Sequence, residues 1–205
     1  MMHPITFRTA PHIICAAMLV SCFLMQSGCS SDSDPNTPSA LGHMERGWSA
    51  YESGNYAQAL LNFERAINFD EELADAHNGV GWSHLSLSLN PPLAQEAFQN
   101  AVQLDASNAD AWVGLANVLY LRHKDAKDAT DFRSAIRAID NALQGDAQYL
   151  FRHDYHSNAE LYALKAACYY YIGENQSARQ EANKALQIDT TNRTAIVLQN
   201  LLKEE

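Results

Sequence analysis

His153-Asp154-Tyr155-His156 is the one cluster of metal-ligating side-chain types in this sequence. Two histidines three residues apart share a helix face. A catalytic zinc needs three protein ligands, and no third ligand lies close in sequence. The other histidines considered, His43, His77, His84 and His123, are scattered, so general acid–base catalysis has no candidate pair. Cys168 stands alone in an apolar stretch between Ala167 and Tyr169, a setting for a small buried hydrophobe rather than a reactive thiol. There is no glycine-rich phosphate loop, nucleophile elbow or HExxH. These residues predict no catalytic site, no metal site and no cofactor; a metal-assisted enzyme using His153 and His156 is the remote alternative.

A different chemistry is available near the beginning of the chain. Residues 1–28 carry one charge, Arg8, followed by an apolar run from Ile13 to Met25. A basic start and a short apolar stretch read as a secretory signal, and the run is short of the roughly 20 apolar residues of a membrane span. Gln26-Ser27-Gly28-Cys29 comes next, then Ser30-Ser31-Asp32-Ser33-Asp34-Pro35. This resembles the lipobox of bacterial lipoproteins, in which a small residue precedes a cysteine that is lipidated and becomes the mature N-terminus. Gln26 departs from the apolar residue the family prefers. Leu19-Val20-Ser21-Cys22 fits the box better but would leave Phe23-Leu24-Met25 just beyond the lipid. Cys29 is therefore the expected lipidation site and Cys22 its alternative; an ordinary cleaved signal with a fortuitous Cys29 also stays open. Residues 29–40 would be the lipidated cysteine and a polar, proline-containing tether. By the family rule, Ser30 after Cys29 favours the outer membrane, with the domain in the periplasm.

The charge balance excludes some partners. The chain has 14 basic and 24 acidic residues, a formal net charge of −10, and removing residues 1–28 takes away one positive charge. Such a protein is poorly suited to nucleic acid, which demands phosphate neutralisation by Lys and Arg. It is equally unsuited to adsorbing on anionic lipid, so membrane attachment should come only through the N-terminal anchor.

The rest of the chain, residues 41–205, is organised by repetition. Gly47, Gly54-Asn55-Tyr56, Ala59, Phe63, Ala66 and Asp70 return as Gly81, Ala94, Phe98, Ala101 and Asp105. They return more loosely as Trp112, Leu115, Ala116, Ala135, Ile139, Ala142 and Asp146, and again as Tyr162, Ala166, Tyr169, Gly173, Ala178, Ala185 and Asp189. A period of about 34 residues with these contents resembles the tetratricopeptide repeat. The resemblance implies an all-α helix-turn-helix solenoid of about four repeats, each an A and a B helix. Small residues let the paired backbones approach, and stacking of neighbours supplies the core. The expected helices are 41–53 and 56–69, 74–87 and 92–104, 109–122 and 129–144, 159–172 and 175–188, with a capping helix near 193–203 that closes the apolar end. Asn108, Asn158 and Asn192 are the expected N-caps. Asp110 and Glu160 follow in the first turn, where negative charge suits the helix dipole.

Repeats of this family bind in a groove lined by A helices. Carried across residue by residue, the resemblance places Met44, Trp48 and Tyr51, then Asn78, Trp82 and Leu85, then Val113, Asn117 and Tyr120, then Ala167 and Tyr170 along that groove. Two roles stay open for Trp48 and Trp82: groove anchors or packing on the adjacent A helix. The basic residues with which one branch of the family grips a C-terminal carboxylate are missing, since Met44, Gly79, Asp110 and Gly114 occupy those places. Glu45, Glu52, Asp75, Asp110 and Glu160 read either as an acidic rim that favours a neutral or basic partner or as helix-start charges and a solvated face. The insert 148–156 is either packing or part of a binding face. The implied function is an envelope-anchored adaptor for a partner protein or peptide; a pilotin-like assembly factor for a secretin or pilus is the second reading.

Overall fold

A computed structural model of the chain describes residues 39–88, 90–123, 129–145 and 157–203, all within one compact unit. Cys22, Cys29, the tether before residue 39 and the 148–156 insert with His153 and His156 lie outside the described residues. Nine helices are found among the described residues, with no strand. They are α1 (Ala40–Glu52), α2 (Tyr56–Phe69), α3 (Ala74–Ser86), α4 (Pro91–Leu104), α5 (Ala109–His123), α6 (Ala129–Gly145), α7 (Asn158–Tyr171), α8 (Asn175–Ile188) and α9 (Arg193–Leu201). Each of the first four odd-numbered A helices packs most extensively on the B helix that follows it, and each B helix packs less extensively on the next A helix. The odd helices also touch one another in order, from α1 to α9. This is an all-α repeat solenoid. No described helix is long and apolar enough to cross a membrane.

Two phenylalanines show why the small residues recur. A Cβ built on Gly47 would lie 2.5 Å from the Phe63 ring, and one on Gly79 would lie 2.4 Å from it. Phe63 of α2 is thus a plate held between α1 and α3. Phe98 of α4 is held in the same way between Gly81 of α3 and Gly114 of α5, where a Cβ would come within 2.6 and 2.2 Å. Both rings are fully buried. Further along, the plate shrinks. The repeat register puts Ile139 at this place in α6, clustered with Ala116 and Leu164, and Ala182 in α8, clustered with Ala166 and Leu198. As the B-helix residue loses volume the facing A-helix residues gain it, which keeps the interior close-packed.

The ends of the helices follow from local chemistry. Asp70, Asp105 and Asp189 each cap a B helix, and their carboxylates accept from the backbone N–H of Glu72, Ser107 and Thr191 two residues on. That turn leads straight into the next A helix. The A-to-B turns need a left-handed residue, supplied by Gly54 at φ 74° and Gly173 at φ 79°. In the second repeat Ser88 takes that conformation at φ 53°, without the freedom of glycine. Asn108 and Asn192 cap α5 and α9 through the N–H groups of Ala111 and Ala195. The expected cap at Asn158 is corrected: Ser157 caps α7 through the Ala159 N–H, and Asn158 is the first helical residue.

Candidate functional site

The A helices meet through one side-chain ladder. Trp48, Trp82, Asn117 and Ala167 occupy equivalent places in α1, α3, α5 and α7. By the same register, Asp75, Asp110, Glu160 and, in α9, Thr194 hold matching first-turn places in the next A helix. The first two rungs are closed by hydrogen bonds. Trp48 Nε1 donates to Asp75 Oδ2 at 2.9 Å, and Trp82 Nε1 donates to Asp110 Oδ2 at 3.0 Å. Asn78 Nδ2 donates to the same Asp110 oxygen at 2.7 Å. Asp110 is 3% exposed and Trp82 1%, so this carboxylate has left water for two protein N–H groups. Hydrogen bonds to a charged group contribute about 1.5–3 kcal/mol. Of the two open roles, Trp82 fills chiefly the packing one, edge-on to Phe98 at 5.5 Å. Trp48 is half-buried and packs on Phe63 and Tyr51.

At the third and fourth rungs the indole is replaced by Asn117 and Ala167, and the space it would fill is open. A groove of about 470 Å³ lies there. Trp82, Leu85, Leu121, Ala163, Leu164 and Ala167 make its apolar wall, and Ser86, Asn117, Tyr120, Glu160, Asn192 and Thr194 its polar groups. The Tyr120 ring is held near Phe132 and Tyr171, at 6.1 and 6.0 Å. Burial, with Tyr171 alongside and hydrogen-bonded to it, pushes its phenol up to about 12.

Five of the residues placed in the groove by the repeat register are brought together in this space: Trp82, Leu85, Asn117, Tyr120 and Ala167. Others have no surface there. Asn78 and Val113 are fully buried, the first spent on the Asp110 hydrogen bond and the second in the core, which corrects their placement along the groove. Tyr51 is buried with its hydroxyl on Ser86 Oγ at 2.8 Å. Met44 of α1 is partly buried against the core, and Tyr170 sits edge-on to Tyr171 instead of lining the groove. The structure adds Ser86, Leu121, Glu160, Ala163, Leu164, Asn192 and Thr194. Glu160 was visible in the sequence as a helix-start acid, but its place in one groove with Asn117 depends on the stacking of α5 and α7. Among the described residues, no group of three metal-ligating side chains converges.

A second polar cluster joins α6, α7 and α8. Lys165 Nζ is 2.5 Å from Asp140 Oδ1 and 3.8 Å from Glu181 Oε1, and Lys184 reaches Glu181 at 2.8 Å. Burial works against the Lys165 charge, but the Asp140 hydrogen bond and the Glu181 charge outweigh it and hold its pKa above the usual value. Cys168 is fully buried, and burial pushes its thiol up to about 12. Both groups are structural in these settings.

No protein-family model matches the sequence. The human protein "DnaJ homolog subfamily C member 7" is 29% identical over 154 residues, which is 72% of this chain and 29% of the relative. The chain therefore spans about a third or less of the length of the curated relatives it matches. Among solved structures, MamA superposes with a TM-score of 0.64 at 20% identity, covering 80% of this chain and 81% of that one. A thermophilic TPR protein of Thermus thermophilus, TTC0263, gives a TM-score of 0.59 at 20% identity, with the same two coverages. In fold this chain is a tetratricopeptide-repeat solenoid.

Proposed function

We propose that the chain is a protein-interaction scaffold that captures a partner protein or peptide in the open half of its A-helix groove, and that it is held at a bacterial cell envelope by lipid on Cys29. The observation that carries the binding half is the opening at Asn117 and Ala167, where the first two repeats have an indole or its hydrogen bond and the last two have room. The lipobox-like residues 26–29 and the polar stretch after them support the anchoring half. An assembly factor for a secretin or pilus is a special case of this reading, selected by loss of one oligomeric outer-membrane protein in cells lacking the chain.

The test is crosslinking of the full chain in its own cells beside an Asn117→Trp variant. A tryptophan at that place copies Trp82 and fills the groove from within. Selective loss of a crosslinked partner from the variant supports capture in the groove; an unchanged partner set rejects it. For the anchor, palmitate incorporation should disappear in Cys29→Ala and persist in Cys22→Ala. The reverse pattern moves the lipid to Cys22, and no incorporation in the native chain removes the anchor.

A further inference from the structure

A second space lies where α5 is flanked by the B helices α4 and α6. A cleft of about 440 Å³ opens there, and it shares no lining residue with the A-helix groove. Its origin is visible in the repeat itself. Around α7 the matching seam is closed by charge: Asp140 of α6, Lys165 of α7, and Glu181 and Lys184 of α8. The repeat register puts Gln99, Leu115, Ala138 and Asn141 at those four places around α5, and all four line the cleft. The ion pairs are replaced by two primary amides and two apolar side chains. Trp112 forms another part of the lining. It is partly buried, and its Nε1 is committed to the Ala106 carbonyl at 2.9 Å, so it offers ring surface and not a donor. We infer that this cleft is a binding site for a neutral saccharide, packed on Trp112 and hydrogen-bonded to Gln99 and Asn141.

The charges choose a neutral ligand. Asp131 and Arg137 bring one of each sign to the lining, and Asp140 is answered by Lys165 at 2.5 Å. A phosphate or an ammonium group would find no excess of the opposite sign. The amides choose hydroxyls. Each amide carries a donor and an acceptor side by side, as does a pair of neighbouring hydroxyls on a sugar. Gln99 and Asn141 are exposed, so the sugar takes the place of water at both. Leu115, Leu119 and Ala138 are almost sealed, so the apolar contact falls to Trp112. An indole suits the C–H face of a sugar ring, and a few polar groups beside it fix the orientation.

The test titrates the full chain, by calorimetry up to about 10 mM, with neutral oligosaccharides of glucose, mannose, galactose, xylose or N-acetylglucosamine. At least one should bind, and better than the matching uronic-acid oligomer. Gln99→Ala with Asn141→Ala changes only exposed side chains and should weaken it about tenfold. Binding should shift the tryptophan emission of the native chain and leave that of Trp112→Phe unmoved, because the other two indoles lie outside the cleft. If none of these sugars binds, the inference is overturned. A sugar whose affinity survives the double alanine variant, or whose emission shift survives Trp112→Phe, sits elsewhere and overturns it equally. Tighter binding of the uronic-acid oligomer overturns the choice of a neutral ligand.

Discussion

Replacing Gly114 by alanine should destabilise the protein, although alanine is the better helix former. The new Cβ would stand 2.2 Å from Phe98 Cε1 and 2.3 Å from Cζ. Carbon atoms in contact prefer about 3.5–4.0 Å, so the ring would have to retreat by more than an ångström. It has nowhere to go: Phe98 is fully buried, and Gly81 meets its other side at 2.6 Å. Overpacking typically costs about 1–3 kcal/mol, and this contact belongs at the upper end. Against it stands a helix-propensity gain of about 1 kcal/mol. The net loss is about 2 kcal/mol, a fall in midpoint temperature of about 4–8 °C for a chain of this size. Denaturant melts followed by circular dichroism on the full chain would measure it. Gly42→Ala is the control, because its Cβ would meet only the Ser39 hydroxyl at 3.1 Å and the Arg46 side chain. That variant should be neutral or slightly more stable. Adding Phe98→Leu to Gly114→Ala should relieve most of the clash, so the double variant should lose less than the sum of the two singles. If Gly114→Ala proves as stable as the native chain, the sandwiched ring does not enforce glycine and the argument for the repeat spacing is wrong.

Ser88→Gly should stabilise the second repeat by about 0.5–1 kcal/mol, since it relieves a left-handed residue that the other two described turns assign to glycine; a denaturant midpoint that does not rise contradicts the turn geometry. Lys165→Met should cost about 2 kcal/mol, less than the roughly 3–5 kcal/mol of a fully buried pair because Asp140 is half exposed and Lys184 still reaches Glu181. Pairing it with Glu181→Leu should restore much of that loss in the same melt. Stability should also fall as pH rises from about 9 to 12. The Cys168 thiol ionises near 9.0 when unfolded but near 12 when folded, and the Tyr120 phenol shifts from 10.0 to about 12, so the unfolded chain releases protons first. That stability is fully present below pH 9; Cys168→Ala with Tyr120→Phe should flatten the decline, and an equally steep one would refute the assignment. Peptide mapping after brief thiol labelling at neutral pH should find Cys168 unmodified until denaturant is added.

The sequence was enough for the fold because its signal is local and repeated. Gly47, Phe63 and Gly81 recur at fixed offsets, and every expected helix is found with ends within a residue or two. The Asn158 cap failed because a serine one residue earlier offers the same kind of acceptor, and only the backbone angles show which one is used. The groove was legible as a face but not as a space. Register tells which side chains point toward the next A helix; it does not tell whether that side is already filled. Trp48 finds Asp75 27 residues away and Trp82 finds Asp110 28 residues away, partners that had looked like ordinary helix-start charges. Asn78 and Val113 hold groove places in the register yet are sealed by the neighbouring repeat.

The plates of Phe63, Phe98, Ile139 and Ala182, each matched to residues on two different A helices, change what counts as a part in this protein. A helix pair lifted from one place and inserted at another would carry half of two fittings and complete neither. Swapping the second repeat for the fourth would set alanine where glycines wait for a ring, leaving a void at one seam and a collision at the next. The piece that could be exchanged or duplicated intact is offset by half a repeat: a B helix with the A helices on both its sides. Cutting the chain into modules at its turns would therefore divide it in the wrong places, and engineered lengthening should be phased on the seams.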